Sequence, residues 1–155
     1  MSANTKVMVI LADEPEIRTQ VLDLLQRIGV YPILVKEGAA ALTLLDEEGL
    51  APSLIILDLA VSGVDGFEIL ERVRKMPWMD GVPVLILTDK ADPEAIRRGL
   101  DSGADAYVTK PYLVHSLVDR VRVLLAAGRR QLPRTRFYGR TSPLTETDET
   151  IPSDE

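Results

Sequence analysis

Short apolar runs alternate along most of the chain with stretches that carry one apolar stripe. Five such runs recur at intervals of roughly 20 to 30 residues, as the strands of successive βα units do. They are Lys6–Leu11, Tyr31–Val35, Ser53–Leu57, Val82–Leu87 and Ala106–Thr109. Several of them are continuously apolar rather than alternating, which is typical of strands buried on both faces of a parallel sheet.

The stretches between these runs have the spacing of amphipathic helices. A first helix is predicted from Ile17 to Ile28, with Pro15 in its first turn and Gly29 just past its end. Asp92 is predicted to cap the fourth helix and Pro93 to occupy its first position. The other apolar stripes mark a second helix at Ala41, Leu42 and Leu45, a third at Phe67, Leu70 and Val73, the fourth at Ala95, Ile96, Gly99 and Leu100, and a fifth from Leu113 to Leu125.

The resulting (βα)₅ pattern predicts an α/β fold with right-handed crossovers. We expect a flavodoxin-like three-layer sandwich, with helices on both faces of a parallel five-stranded sheet of order 2-1-3-4-5. The pattern stops near Gly128. Residues 1–128 are therefore predicted to form one domain. Residues 129–155, which are basic first and acidic later, are predicted to be a linker or a flexible C-terminal tail.

Composition narrows the class of protein further. The chain has 155 residues, of which 46% are hydrophobic and 27% charged, as in ordinary globular proteins. A net charge of −6 argues against non-specific binding to nucleic acid or to an anionic membrane. The absence of cysteine and the single histidine, His115, exclude disulfides, thiolate chemistry and a histidine-rich zinc site. With no secretory signal and no long apolar stretch, we expect a soluble, cytoplasmic protein.

Polar side chains with chemical potential follow the predicted strands. Asp13 comes after the first, Asp58 after the third, Thr88 after the fourth and Lys110 after the fifth. Ligands of open α/β sheets bind beyond the carboxyl ends of the strands, at the point where the strand order reverses. In the order 2-1-3-4-5 the first and third strands are neighbours, so Asp13 and Asp58 would face one another there.

Such a group of side chains suits phosphoryl chemistry. Paired carboxylates are hard oxygen ligands for Mg²⁺, and a carboxylate can also act as a nucleophile and form an aspartyl-phosphate. The ammonium of Lys110 and the hydroxyl of Thr88 would neutralise and bind phosphoryl oxygens. Simpler interpretations stay open at this point: Asp58 as the first residue of a loop, Asp13 as a helix cap, and Thr88 as an ordinary strand residue.

From residue 5 to about residue 128, the sequence resembles the receiver domain of two-component response regulators. Four segments carry the resemblance: LADEPEIR at 11–18, LIILDLAVSGVDGFE at 54–68, VPVLILTD at 82–89 and GADAYVTKPY at 103–112. The resemblance implies roles for six residues. Asp58 would be the phosphoacceptor, Asp13 and the backbone carbonyl of Ala60 would bind Mg²⁺ together with Asp58, Lys110 would bind the phosphoryl group, Thr88 would be the switch hydroxyl, and Tyr107 would be an aromatic switch that moves inward on activation.

The same resemblance implies a function and partners. A sensor histidine kinase or a phosphotransfer protein would donate a phosphoryl group to Asp58 in a Mg²⁺-dependent reaction. The protein would be a signalling phosphoacceptor that catalyses its own phosphorylation and dephosphorylation rather than an enzyme in the usual sense. Phosphorylation would alter the helix 4–strand 5–helix 5 face, through which a homodimer is also possible. Direct contact of this segment with nucleic acid or membrane is not expected.

Three residues depart from the family's usual pattern and keep alternatives open. Ala12 stands where a second acid usually precedes Asp13, Asp89 follows Thr88 where a small residue is usual, and Ser62 replaces a common proline. These departures favour a second hypothesis, a pseudo-receiver that binds partners without phosphorylation. A third hypothesis, a flavodoxin-like cofactor binder, is weaker because the acidic segment 13–16 would repel a phosphate.

Overall fold

The computed structural model of the chain describes residues 5–11, 14–59, 65–89, 92–109 and 114–128. Five parallel strands form one sheet in the order β2-β1-β3-β4-β5, which confirms the predicted topology. The strands are β1 (Lys6–Ile10), β2 (Tyr31–Val35), β3 (Leu54–Asp58), β4 (Val84–Thr88) and β5 (Ala106–Thr109).

Helices connect the strands as predicted. They are α1 (Pro15–Arg27), α2 (Gly38–Leu42), α3 (Gly66–Arg74), α4 (Pro93–Asp101) and α5 (Val114–Ala127), with a 3₁₀ turn at Pro77–Met79. Pro15 lies in the first turn of α1, and Gly29 follows its last residues with a φ of 81°, a conformation that favours glycine. The carboxylate of Asp92 accepts a hydrogen bond from the backbone N–H of Ala95, so the predicted cap of α4 is confirmed.

Two apolar clusters, one on each face of the sheet, produce the three-layer sandwich. Helices α1 and α5 cover one face through Val21, Leu25, Leu117 and Val121, which pack against strand residues such as Ile56. Helices α2, α3 and α4 cover the other face. This second cluster contains Ala41, Leu45, Ile69, Leu70 and Ile96 from the helices and Ile55, Ile86 and Tyr107 from the strands. Burial on both faces explains the continuous apolar character of the central strands.

The sequence-based boundaries were wrong at several strand ends. Strand β3 ends at Asp58 and β4 at Thr88, so both residues belong to the strands rather than to the loops that follow. Asp58 pairs with Leu87 and Thr88 with Thr109, which extends the ladder into polar residues. In these two strands the apolar run stops one residue early, because apolar character carries no information about backbone pairing. The first run errs the other way, since it includes Leu11 whereas β1 ends at Ile10.

The second helix also differs from the prediction. It continues beyond α2 as a π-helical segment at Thr43–Glu47, in which the backbone is wound more widely than in an α-helix. The indole N–H of Trp78, from the turn after α3, donates to the carbonyl oxygen of Leu45 in this segment at 3.1 Å. Trp78, which is far from Leu45 in the sequence, thus supplies a donor for a carbonyl of the π-helical segment.

None of the helices in the described part of the chain has both the length and the apolar character needed to cross a bilayer.

Candidate functional site

Buried polar side chains gather at the carboxyl edge of the sheet. Among the residues that the structure describes, the buried polar or charged side chains are those of Asp58, Thr88 and Thr109. Each is the last residue of its strand, on β3, β4 and β5 respectively. Polar groups are costly to bury unless they make hydrogen bonds, so their concentration at one edge of the sheet marks the candidate site.

Asp58 lies at the centre of this edge. Its strand, β3, is flanked by β1 and β4, and its side chain is fully buried although it is the only acid in the strand. The five residues of β3 are all buried, so the carboxylate is held by a rigid element. A carboxylate on such a support is well placed to act as a nucleophile or an oxygen ligand.

Thr88 and Thr109 face each other across the β4–β5 ladder. Their positions are paired in the register, and only 2% and 5% of their surfaces are exposed. Thr88 was predicted from the sequence as a site residue, whereas Thr109 was not. The sequence does contain a signal for Thr109, because it is a second β-branched residue with a hydroxyl group. It ends the next predicted strand, immediately before Lys110.

Tyr107 is fully buried in the interior of the domain. It pairs with Ile86, two residues before Thr88, and because side chains alternate along a strand it shares a sheet face with Thr88. Burial raises the pKa of Tyr107 to about 12, and the negative charges of Asp92 and Asp89 act in the same direction. The charges of Asp89 and Asp92 therefore act on the phenol of Tyr107. The ring itself points into the interior of the domain.

Asp89 differs from Asp58 in its surroundings. It follows Thr88 directly and is exposed, so it places a solvated negative charge next to the buried edge. Asp89 is one of the two carboxylates that raise the pKa of Tyr107. The charge of Asp89 thus lies next to the buried edge of the sheet and also raises the pKa of Tyr107.

Helix α3, the next element after β3 along the chain, begins at Gly66. The carboxylate of Asp65 accepts a hydrogen bond from the backbone N–H of Phe67 at 3.1 Å and so caps the helix. The guanidinium of Arg98, from α4, lies 4.1 Å from the centre of the Phe67 ring and 3.8 Å from the Asp65 carboxylate. Helix α4 therefore contacts the first turn of α3.

Several predicted site residues lie outside the described residues: Asp13, Ala60 and Lys110, together with the departures Ala12 and Ser62. In the described ranges, no group of three or more histidine, cysteine, aspartate or glutamate side chains is arranged to hold a metal ion. Asp58 is the predicted metal ligand that the structure places, and its carboxylate has the donor chemistry that Mg²⁺ prefers.

The buried acid and hydroxyls at the carboxyl edge of a 2-1-3-4-5 sheet agree with a match to a known family. The sequence profile of the response regulator receiver domain matches residues 8–122. The chain belongs to this family. Its members are signalling phosphoacceptors, and they interact with histidine kinases.

Curated relatives point to the same family. The transcriptional regulatory protein AfsQ1 of Streptomyces coelicolor is 35% identical over 132 residues, which is 85% of this chain and 56% of AfsQ1. The DNA-binding response regulator MtrA of Mycolicibacterium smegmatis is 35% identical over 118 residues, 76% of this chain and 50% of MtrA. The receiver chain thus spans about half the length of these relatives.

Solved receiver domains have the same fold. The receiver domain of Francisella response regulator 1452 is 29% identical with a TM-score of 0.70, and the match covers 79% of this chain and 98% of that one. The BeF₃-activated receiver domain of DrrB, an OmpR/PhoB homologue from Thermotoga maritima, is 28% identical with a TM-score of 0.68. That match covers 78% of this chain and 97% of the DrrB domain.

Proposed function

We propose that this receiver accepts a phosphoryl group on Asp58 from a histidine kinase or a phosphotransfer protein. The observation that carries the proposal is the position of Asp58. It is a fully buried carboxylate at the carboxyl end of the central strand β3, in a chain that belongs to the receiver family. The Asp58 assignment itself comes from matching the sequence to the family's pattern.

The proposed reaction is a displacement at phosphorus. A carboxylate oxygen of Asp58 forms a bond to phosphorus while the bond from phosphorus to the donor's nitrogen or oxygen breaks, leaving an acyl phosphate. The hydroxyl of Thr88, at the end of the adjacent strand, would donate a hydrogen bond to a phosphoryl oxygen. Attack of water on the acyl phosphate would release inorganic phosphate and restore the carboxylate.

We further propose that Mg²⁺ is required. The carboxylates of Asp58 and Asp13 and the backbone carbonyl of Ala60 would hold the ion, and the ammonium of Lys110 would bind the phosphoryl group. When bound, the ion neutralises negative charge that develops on the transferred group. The buried carboxylate of Asp58 fits this use, because a hard oxygen ligand on a rigid strand needs little reorganisation to bind a divalent cation.

The proposed output is a change at the surface formed by α4, β5 and α5. Thr88 and Tyr107 share the sheet face that α4 covers, so a new hydrogen bond at Thr88 would alter the packing next to Tyr107. This surface would bind the partner and is a candidate for homodimer formation. The net charge of −6 supports the further proposal that this segment does not itself contact nucleic acid.

Two observations favour a second candidate, a receiver that binds partners without phosphorylation. Tyr107 is already fully buried, and an exposed Asp89 stands beside the site where it would repel an anionic donor. In this alternative the inward ring and the surface around it are constitutive. The two candidates differ in whether Asp58 reacts.

Intact mass spectrometry after incubation with acetyl phosphate and Mg²⁺ separates these candidates. We expect a gain of one phosphoryl group that is lost in Asp58→Asn and kept in Asp23→Asn, which removes an exposed acid from α1. No gain with acetyl phosphate or with a phosphorylated kinase would support the pseudo-receiver instead. Gain of phosphorylation in Ala12→Asp alone would then identify the missing acid as the cause.

A further inference from the structure

Gly99 lies inside α4, where glycine has a cost. The helix runs from Pro93 to Asp101, and Gly99 is buried on the side that faces the sheet, next to Ile96. A glycine in a helix interior is about 1 kcal/mol less favourable than alanine, because its backbone loses more freedom on folding. Something in the tertiary structure must therefore favour the absence of a side chain at this position.

The ring of Tyr107 occupies the space that a side chain at Gly99 would need. A Cβ atom placed on Gly99 would lie 3.0 Å from Cε2 and 3.1 Å from Cδ2 of Tyr107, and 3.0 Å from Cδ1 of Ile86. The end of Ile86 is flexible and can turn aside. The tyrosine ring is rigid and fully buried on β5, so at these distances it must give way by a few tenths of an ångström, and rotation about its side-chain bonds is one way to do so.

We propose that Gly99 is a positioning residue that holds Tyr107 in its inward position by leaving room for the ring. A side chain at residue 99 removes that room and drives the ring outward, toward the surface formed by α4, β5 and α5. Gly99 acts through Tyr107 and touches none of the reacting groups. The inference deepens the proposed switch, and it rests on that function only for its consequence, altered partner binding.

The position of the ring can be measured without phosphorylation. We would label the tyrosine rings with ¹³C and follow Tyr107 by NMR from pH 8 to 12.5 in the wild-type chain, Gly99→Ala and Gly99→Val. Tyr107→Phe assigns the signal. Gly81→Ala is the matched control, because a Cβ at the exposed Gly81 would meet no atom within 4 Å.

In the wild-type chain Tyr107 should titrate near 12, in agreement with its burial. In Gly99→Ala, and more strongly in Gly99→Val, its signal should move toward that of an exposed tyrosine and its pKa toward about 10. Gly81→Ala should leave both unchanged. An unchanged signal and pKa of Tyr107 in both Gly99 variants would overturn the inference, because α4 would then have moved instead of the ring.

A second measurement covers variants that fold poorly. The inference expects Gly99→Val to lower the denaturant midpoint of unfolding less in a Tyr107→Ala background than in the wild-type chain, since the smaller side chain restores the missing space. Equal losses in the two backgrounds would overturn it. Neither readout requires Asp58 to react. A failure of phosphorylation in the wild-type chain would therefore count against the proposed function alone.

Discussion

The guanidinium of Arg74, in the last turn of α3, donates a 2.9 Å hydrogen bond to the carboxylate of Asp105, just before β5. The two side chains are only 12% and 10% exposed. The same guanidinium donates to the carbonyl oxygens of Gly103, Met79 and Val82. The carboxylate oxygen of Asp105 that Arg74 contacts also accepts from the backbone N–H of Val84, the first residue of β4. This cluster joins α3, β4 and β5 at the edge of the sheet opposite the candidate site.

Removing either member of this pair should destabilise the fold strongly. Arg74→Ala leaves the carboxylate of Asp105 and three carbonyls without this donor, and Asp105→Ala leaves a nearly buried guanidinium without its carboxylate partner. Breaking a buried ion pair by deleting one partner costs about 3–5 kcal/mol. Each variant should lower the free energy of unfolding by about that much in chemical denaturation.

Arg72→Ala is the matched control on the same helix. Arg72 donates to Glu68 at 2.8 Å, but both side chains are about half exposed, and exposed pairs contribute about 0–1 kcal/mol. We expect its loss to be within that range. Comparable losses in Arg72→Ala and Arg74→Ala would show that burial of the Arg74 pair has no special energetic weight.

The burial of Tyr107 predicts a loss of stability at alkaline pH. The pKa is about 12 in the folded state and about 10 in an unfolded chain, so between these values the unfolded state releases its proton first. The free energy of unfolding should therefore be unaffected by this group below pH 10. It should fall as the pH rises toward 12, by about 3 kcal/mol at most, since each pH unit is worth about 1.4 kcal/mol.

Comparison with Tyr107→Phe isolates this effect from the titration of other groups. The free energy of unfolding of the wild-type chain minus that of the variant should be constant from pH 7 to 9. Above pH 10 it should fall, because only the wild-type chain carries the phenol. Parallel curves up to pH 12 would mean that the folded state does not hold the phenol in its neutral form.

The contact between α4 and the start of α3 gives a prediction of smaller size. Arg98 stacks on Phe67 and lies 3.8 Å from Asp65, but about half of both charged side chains is exposed. Stacking at an exposed site is worth about 0.5–1 kcal/mol, and the ion pair adds little. Arg98→Ala should lower the free energy of unfolding by about 1 kcal/mol.

Two variants separate stacking from charge in this contact. Arg98→Lys keeps the positive charge near Asp65 and loses the planar guanidinium, so it should recover only part of the stability. Arg97→Ala removes an exposed positive charge from the adjacent position of α4 and should change stability by under about 0.5 kcal/mol. A full recovery in Arg98→Lys would contradict the importance of stacking on Phe67.

Local patterns along the chain predicted the sheet and part of the candidate site. The features that they did not predict depend on contacts between residues far apart in the sequence. Apolar runs and helical spacing indicated five βα units, and the order 2-1-3-4-5 came from the flavodoxin-like fold class to which such units belong. The ends of the apolar runs placed Asp58 and Thr88 at the carboxyl edge. The Arg74–Asp105 pair joins residues 31 positions apart in the chain, and nothing in either neighbourhood marks it.

Gly99 shows why a sequence position can be predicted correctly and still be misunderstood. Its spacing placed it on the apolar face of the fourth helix, and the structure confirms that it is buried there. The reason for glycine is the tyrosine ring from β5, which no helical pattern can indicate. Contacts between side chains of different helices and strands could thus be identified only from the structure.

The two carboxylates near Tyr107 should affect its pKa in a defined order. Burial is the largest cause of the raised pKa, followed by the charge of Asp92 and then by that of Asp89. Asp92→Asn should therefore lower the pKa of Tyr107 more than Asp89→Asn, and neither should bring it to 10. Asparagine is as good a helix cap as aspartate, so Asp92→Asn removes the charge while α4 keeps its cap.

NMR titration of the labelled Tyr107 ring in the two variants and in their combination measures this order. Because both carboxylates are exposed, added salt should lower the pKa of Tyr107 in the wild-type chain and have less effect in the double variant. If Asp89 also repels the donor, acetyl phosphate should label Asp58 faster in Asp89→Asn than in the wild-type chain at low salt. An equal rate, together with a lowered pKa of Tyr107, would confine the influence of Asp89 to the tyrosine.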